Sequence, residues 1–226
     1  MTILLRERIE ELMAVPDLRD RLIITPLLGR ERQLGAATID LRLGTEFIEI
    51  ERQREGTLDP VLARGALARA ARQEETVTVP WGEGIVLHPG QFLLGATLEF
   101  VHLPPTIAGQ VLSRSSWGRV GLMVATAVAL QPGWTGMVTL ELANEGSVPI
   151  RLYPGLRVAQ LLLWEAEKAT EYAYDRRPEQ HKYNRPMGPQ SSKLPLEGDE
   201  LRRIRSVALG LGVKVAHDDP DAANSS

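Results

Sequence analysis

The chain contains no cysteine. That excludes disulfide scaffolds and thiolate metal sites, including the His/Cys zinc centres of many nucleobase deaminases. Histidine is scarce too: His88, His102, His181 and His217 are scattered without ligand spacing. There is no apolar run of about eighteen residues, so no membrane-spanning helix is expected. No signal-peptide pattern opens the sequence, and a cytoplasmic location is the default expectation. Neither sign of charge dominates. A formal net charge of −3 gives no general attraction to nucleic acid or to an anionic membrane, so any anion binding must be local.

What is present is a chain of 226 residues, 43% hydrophobic, long enough for one substantial core or two small ones. Residues 3–15 carry apolar positions at helical spacing until Pro16 interrupts them, and a short second helix is expected near 17–22. Residues 37–44 alternate as a strand does, with Ala37, Ile39, Leu41 and Leu43 as the inward set. Residues 51–75 read as a charged, Ala-rich excursion with some helix. From residue 76 short β-type runs recur: 76–79, 85–87, 92–97, 107–112, 122–129, 137–142, 150–152 and 158–164. Pro and Gly punctuate them, at His88-Pro89-Gly90, Pro104-Pro105, Pro132-Gly133 and Tyr153-Pro154-Gly155. This spacing predicts an all-β sandwich or barrel, because a parallel α/β sheet would need helices between the strands. After Glu165 the chain turns polar. A helix is expected over 198–209 and disorder over 216–226.

Chemistry concentrates in two places. Arg114-Ser115-Ser116-Trp117-Gly118-Arg119 puts two arginines and two hydroxyls between apolar strands. Guanidinium forks and small hydroxyls suit a polyphosphate, and a loop anchored at both ends suits a binding site; the plain alternative is a solvated loop. Further on, Val138, Leu140 and Leu142 share one strand face and Glu141 lies on the other with Met137, Thr139 and Ala143. A carboxylate on a strand either faces solvent or lines a cleft, where partial desolvation would raise its pKa toward that of a general base. Between these stretches, Gln131-Pro132-Gly133-Trp134 reads as the tight turn of a hairpin. Tyr174, Arg176, Arg177, Lys182 and Tyr183 form a basic arm, either solvated or closing over an anion.

Set in order, these segments resemble the dCTP deaminase family, within the trimeric dUTPase-like superfamily. The resemblance is carried by 35–44, by His88-Pro89-Gly90, by Arg114 to Leu122, by Pro132 through Glu141, and by the arm, over roughly residues 35–183. It implies a distorted, jelly-roll-like β-barrel with a short N-terminal helical segment, assembled as a homotrimer with sites between subunits. The corresponding domain would span 1–193, with 170–193 as the closing arm, and 194–226 would be an extension. The implied reaction is metal-independent deamination of dCTP to dUTP and ammonia. Glu141 would be the general base, and Ser115 and Arg119 would support the attacking water. Arg114, Ser115 and Ser116 would hold the triphosphate, with Trp117 and Gly118 in the same cradle. Gln131, Thr139 and Leu140 would face the base and sugar, and Tyr174 and Lys182 would arrive with the arm. Mg²⁺ would enter through the substrate triphosphate, with no zinc and no protein ligand to metal.

Three departures from the family pattern stand out. Gln131 replaces an acidic residue before Pro-Gly, the stretch from Gly121 to Gln131 is shorter and more apolar, and Pro186 stands where a Gln often follows the arm's Lys. These keep two other readings open. One is a dUTPase-type or bifunctional pyrophosphatase, disfavoured because residues 120–140 hold no Asp or Glu. The other is a non-catalytic nucleotide-binding trimer.

Overall fold

The computed structural model describes residues 2–50, 61, 74–125, 129–166, 183 and 185–211. They group into two compact units: residues 1–52 with 73–191, and residues 53–72 with 192–226.

The first unit is a curled antiparallel sheet. Its elements are β1 (Thr2–Ile3), α1 (Arg6–Met13), β2 (Ile23–Thr25), α2 (Arg30–Gln33), β3 (Thr38–Ile50), β4 (Glu74–Thr78), β5 (Ile85–Leu87), β6 (Phe92–His102), β7 (Ile107–Ser113), α3 (Ser115–Gly118), β8 (Leu122–Val124), β9 (Ala129–Leu130), β10 (Thr135–Asn144), β11 (Ile150–Leu152) and β12 (Arg157–Glu165). The strand order is β8-β10-β6-β3-β12-β7-β9. β1 joins β12, β2 joins β6, β4 joins β3, and β11 pairs with β5 apart from the main sheet. The expected strand regions are therefore strands, with ends displaced by a few residues at most sites.

β3 is the member that curls the sheet. Its first half pairs with β12 and its second half with β6 and β4. The register shifts between Leu43 and Phe47, where Gly44 lies so close to the Ala96 carbonyl that a Cβ would sit at 3.1 Å. Bending one long strand lets a single element serve two parts of the sheet. Inside the curl, Ile39, Leu41, Leu43, Phe47, Leu140, Leu142, Val158, Leu161 and Leu163 are wholly buried. Ala37 precedes β3 and is only half-buried.

Two expectations fail here. Residues 17–22 form turns rather than a second helix. Asp17 accepts the Arg19 N–H at 2.8 Å, and the Arg21 guanidinium donates to the carbonyls of Val15 and Pro16, so side chains take the bonds a helix would make. The strand expected over 122–129 is also two short strands with different partners, β8 on β10 and β9 on β7. Of the excursion expected over 51–75, Glu74 and Glu75 instead open β4; the rest, apart from Val61, and the terminal stretch 216–226 lie outside the described residues.

The second unit contributes a 3₁₀ turn over Leu194–Glu197 and α4 (Gly198–Gly210), close to the expected helix. Among the described residues no helix is long and apolar enough to cross a membrane.

Candidate active site

β7 delivers the chain to Arg114, which is extended (φ −78°, ψ 129°), and the next residues close a single helical turn, α3. The expected loop is thus a compact turn: Trp117 N–H donates to the Arg114 carbonyl at 3.0 Å and Arg119 N–H to that of Ser115 at 3.1 Å. Two of its side chains are spent on the scaffold. The Arg114 guanidinium reaches Asp40 at 3.4 Å and the Arg157 carbonyl at 3.0 Å. The Trp117 indole N–H donates to the same carbonyl at 2.9 Å. Ser115, Ser116, Gly118 and Arg119 are exposed.

Asp40 organises this side of the site. It lies on β3 opposite Gln160 of β12, is 6% exposed, and accepts from Gln160 at 2.9 Å and from Arg157 at 3.0 Å as well as pairing with Arg114. A carboxylate shared by two guanidiniums and an amide sets the direction of both arginines.

β8 carries the chain from α3 toward Glu141. Its residues Leu122, Met123 and Val124 pair with Asn144, Ala143 and Leu142, and Ala125 N–H donates to the Glu141 carbonyl at 2.8 Å. The crossing is tight: a Cβ on Gly121 (φ +92°) would stand 2.6 Å from Gly146 Cα. Asn144, wholly buried, ties this end down through the Leu87 and Val148 carbonyls, both at 2.9 Å. Glu141 itself is half-buried on the outward face with Met137, Thr139 and Ala143, while Val138, Leu140 and Leu142 fill the core. Leu140 can therefore offer a ligand only its backbone.

The turn at Gln131 is not a plain hairpin. The Gln131 carbonyl accepts Trp134 N–H at 3.0 Å, Gly133 adopts φ +81°, and Trp134 turns into the core at 7% exposure. β8 and β10 pair at the base, but β9 leaves for β7, because burying Leu130 and Trp134 outweighs tip-to-tip pairing. Gln131 remains exposed at the corner. Residues 126–128, Tyr174 and Lys182 lie outside the described residues.

Sequence reasoning missed a second polar centre behind β10. Glu99 has no exposed surface; its carboxylate accepts Arg42 N–H and Gln33 Nε2–H, each at 2.8 Å. Burial pushes this carboxyl up to about 7, opposed by those two hydrogen bonds and by the Arg42 charge. Next to it, the Thr97 hydroxyl accepts Val138 N–H at 2.9 Å, where β6 and β10 shift register. The signal was present: Glu99 has the same parity on β6 as buried Val101. Among the described residues no group of three or more His, Asp or Glu side chains is placed to hold a metal ion.

This mainly β chain curls its sheet into a half-barrel, with an anchored polar turn leading to a strand-borne carboxylate. Its fold is similar to that of a solved 2'-deoxycytidine 5'-triphosphate deaminase from Agrobacterium tumefaciens, at TM-score 0.53 and 24% identity over 73% of this chain and 48% of that one; at that identity the likeness concerns the fold. Residues 3–166 match the dCTP deaminase-like family model, and the chain belongs to that family. A dCTP deaminase of Natronomonas pharaonis is 40% identical over 79% of this chain and 88% of its own length. A relative from Nocardia farcinica, named dCTP deaminase, dUMP-forming, is 38% identical over 82% of this chain and 92% of its own.

Proposed function

We propose that this chain deaminates dCTP hydrolytically to dUTP and ammonia, as a homotrimer with sites between subunits, in the cytoplasm. The observation that carries this reading is the placement of Glu141, half-buried on the outward face of β10 and reached through β8 from the exposed residues Ser115, Ser116 and Arg119. Glu141 takes a proton from water as its oxygen bonds to C4 of the cytosine. That proton goes to N3 as the C4=N3 double bond opens; the carboxylate then passes the proton of the new C4 hydroxyl to the exocyclic nitrogen, the C4–N bond breaks as C4=O forms, and ammonia leaves with the carboxylate regenerated. Ser115 and Arg119 hold the water and the developing charge. The triphosphate, carrying its Mg²⁺ as part of the substrate, lies against Ser115, Ser116 and the Arg114 side of the turn, with Trp117 and Gly118 shaping it. Gln131, Thr139 and the backbone of Leu140 face base and sugar, and Tyr174 and Lys182 close over the phosphates.

A second reading is kept because the Nocardia farcinica relative is named dUMP-forming. There dUTP would lose pyrophosphate before release. Gln131, an amide in place of an acid, argues for dUTP as the product here.

Both are tested by incubating the protein with dCTP, CTP and dUTP plus Mg²⁺ and resolving products by ion exchange. dUTP from dCTP is expected. dUMP with pyrophosphate would establish the second reading, and no turnover of dCTP would overturn both in favour of a nucleotide-binding trimer.

A further inference from the structure

The last part of the 170–193 segment, read above as the closing arm, lies against β10. Odd-numbered residues of β10 turn their backbone groups away from β6: Glu141 accepts from Ala125, and Met137 N–H donates to the Pro186 carbonyl at 2.7 Å. Gln190 N–H donates to the Thr139 hydroxyl at 3.1 Å, and the Ser191 hydroxyl bonds the Glu74 carboxylate. Pro186 and Gly188 are buried while Met187 between them is 66% exposed, so a bent segment lays alternate residues against the sheet edge. Gly136 (φ +146°) makes room for it, since a Cβ there would overlap the Pro186 ring. A Cβ on Gly188 would stand 2.5 Å from Glu46 Oε2, so that carboxylate would have to swing aside.

Thr139 shares its face with Glu141, and two residues along a strand span about 7 Å, the length of a nucleoside fragment. A hydroxyl that accepts from Gln190 keeps its own proton to donate to a ligand oxygen. We propose that Pro186–Ser191 is a positioning element of the active site: by bonding Met137 and Thr139 it holds the outer edge of β10 so that Thr139 stands beside Glu141 against the sugar and base of the nucleotide. This rests on the deaminase reading. Without the segment, Met137 N–H and the Thr139 side chain lose their partners and this edge frays.

The test is a double-variant cycle in the full chain. Gln190→Pro deletes the N–H donor, Thr139→Val deletes the acceptor while keeping the branched shape, and Thr139→Ser restores the acceptor. KM and kcat for dCTP are measured beside thermal melting. Each of the first two variants is expected to raise KM about three- to tenfold, the effect of one hydrogen bond, with kcat changed less than about twofold. The double variant is expected to be no worse than the more affected single, and Thr139→Ser to recover most of the loss. A segment that only stabilises the fold would lower melting and leave KM alone. Unchanged KM in Gln190→Pro, or multiplicative losses in the double variant, overturns the proposal. If the variants fail to fold, amide hydrogen exchange on the wild type decides: Met137 N–H is expected to be protected, and rapid exchange there overturns the proposal. A wild type that turns over no dCTP sinks the deaminase reading and with it the role assigned to this segment, while Met137 protection still shows whether the segment is docked.

Discussion

Two glutamates on paired strands stand in opposite settings. Glu99 on β6 is wholly buried, and Arg42 and Gln33 fill both of its carboxylate oxygens. Glu141 on β10 is half-buried on a face that also carries Thr139. The first holds the sheet together from inside; the second is presented to whatever lies against the sheet. Residue type is the same in both cases. The difference lies in which side of a strand the carboxylate occupies and how deeply it is buried.

The largest effect expected from this contrast is on turnover. Glu141→Gln should lower kcat by about 10²- to 10⁴-fold, the usual worth of a general acid–base group, while leaving the melting temperature nearly unchanged. Ammonia release and circular dichroism check both halves, and an active Glu141→Gln would erase the contrast. Glu99→Ala should do the reverse. It strands the Arg42 N–H and the Gln33 amide in a dry interior and should cost about 3–5 kcal/mol in chemical denaturation, with KM retained by the folded fraction.

The pH dependence of stability sharpens the comparison. Glu99 is pushed up to about 7 in the folded protein against an ordinary value of 4.5, so the folded chain binds this proton more tightly than the unfolded one. The associated stability is full below about pH 4.5 and is lost as pH rises through about 7, on the order of 3 kcal/mol in all. Denaturation midpoints at several pH values between 5 and 8 should show this fall in the wild type and not in Glu99→Gln. An identical slope in both would show that Glu99 does not carry it.

Asp40 is the intermediate case, buried like Glu99 yet bonded to Arg114 of the candidate phosphate turn. Asp40→Asn should cost about 2 kcal/mol in urea denaturation, less than Glu99→Ala, because its arginines are 25% and 30% exposed and water can replace part of the pairing. A loss as large as that of Glu99→Ala would place Asp40 with the fold-holding carboxylates alone.

Much of this was legible in the chain itself. The alternation of Val138, Leu140 and Leu142 is what places Glu141 outward, and the Pro/Gly punctuation located β5, β7 and β11 closely. The misses share a cause. The bond from Arg114 to Asp40 joins residues far apart in sequence and has no local signal. The Gln131 turn reads as a hairpin, yet β9 finds β7 instead of β10. The turns over 17–22 arise because Asp17 and Arg21 bond locally to backbone. Asn144 and Glu99 carried no motif, only parity with buried neighbours.

By itself the sequence determined the β character, the anchored polar turn at 114–119 and the face on which Glu141 stands, because strand periodicity and turn chemistry are local properties. Tertiary structure alone decided that Glu99 is interior, that Asp40 aims two arginines, and that residues 186–191 lie on the edge of β10. Those outcomes depend on which strands pair and in what register, and pairing energy comes from contacts between residues distant along the chain.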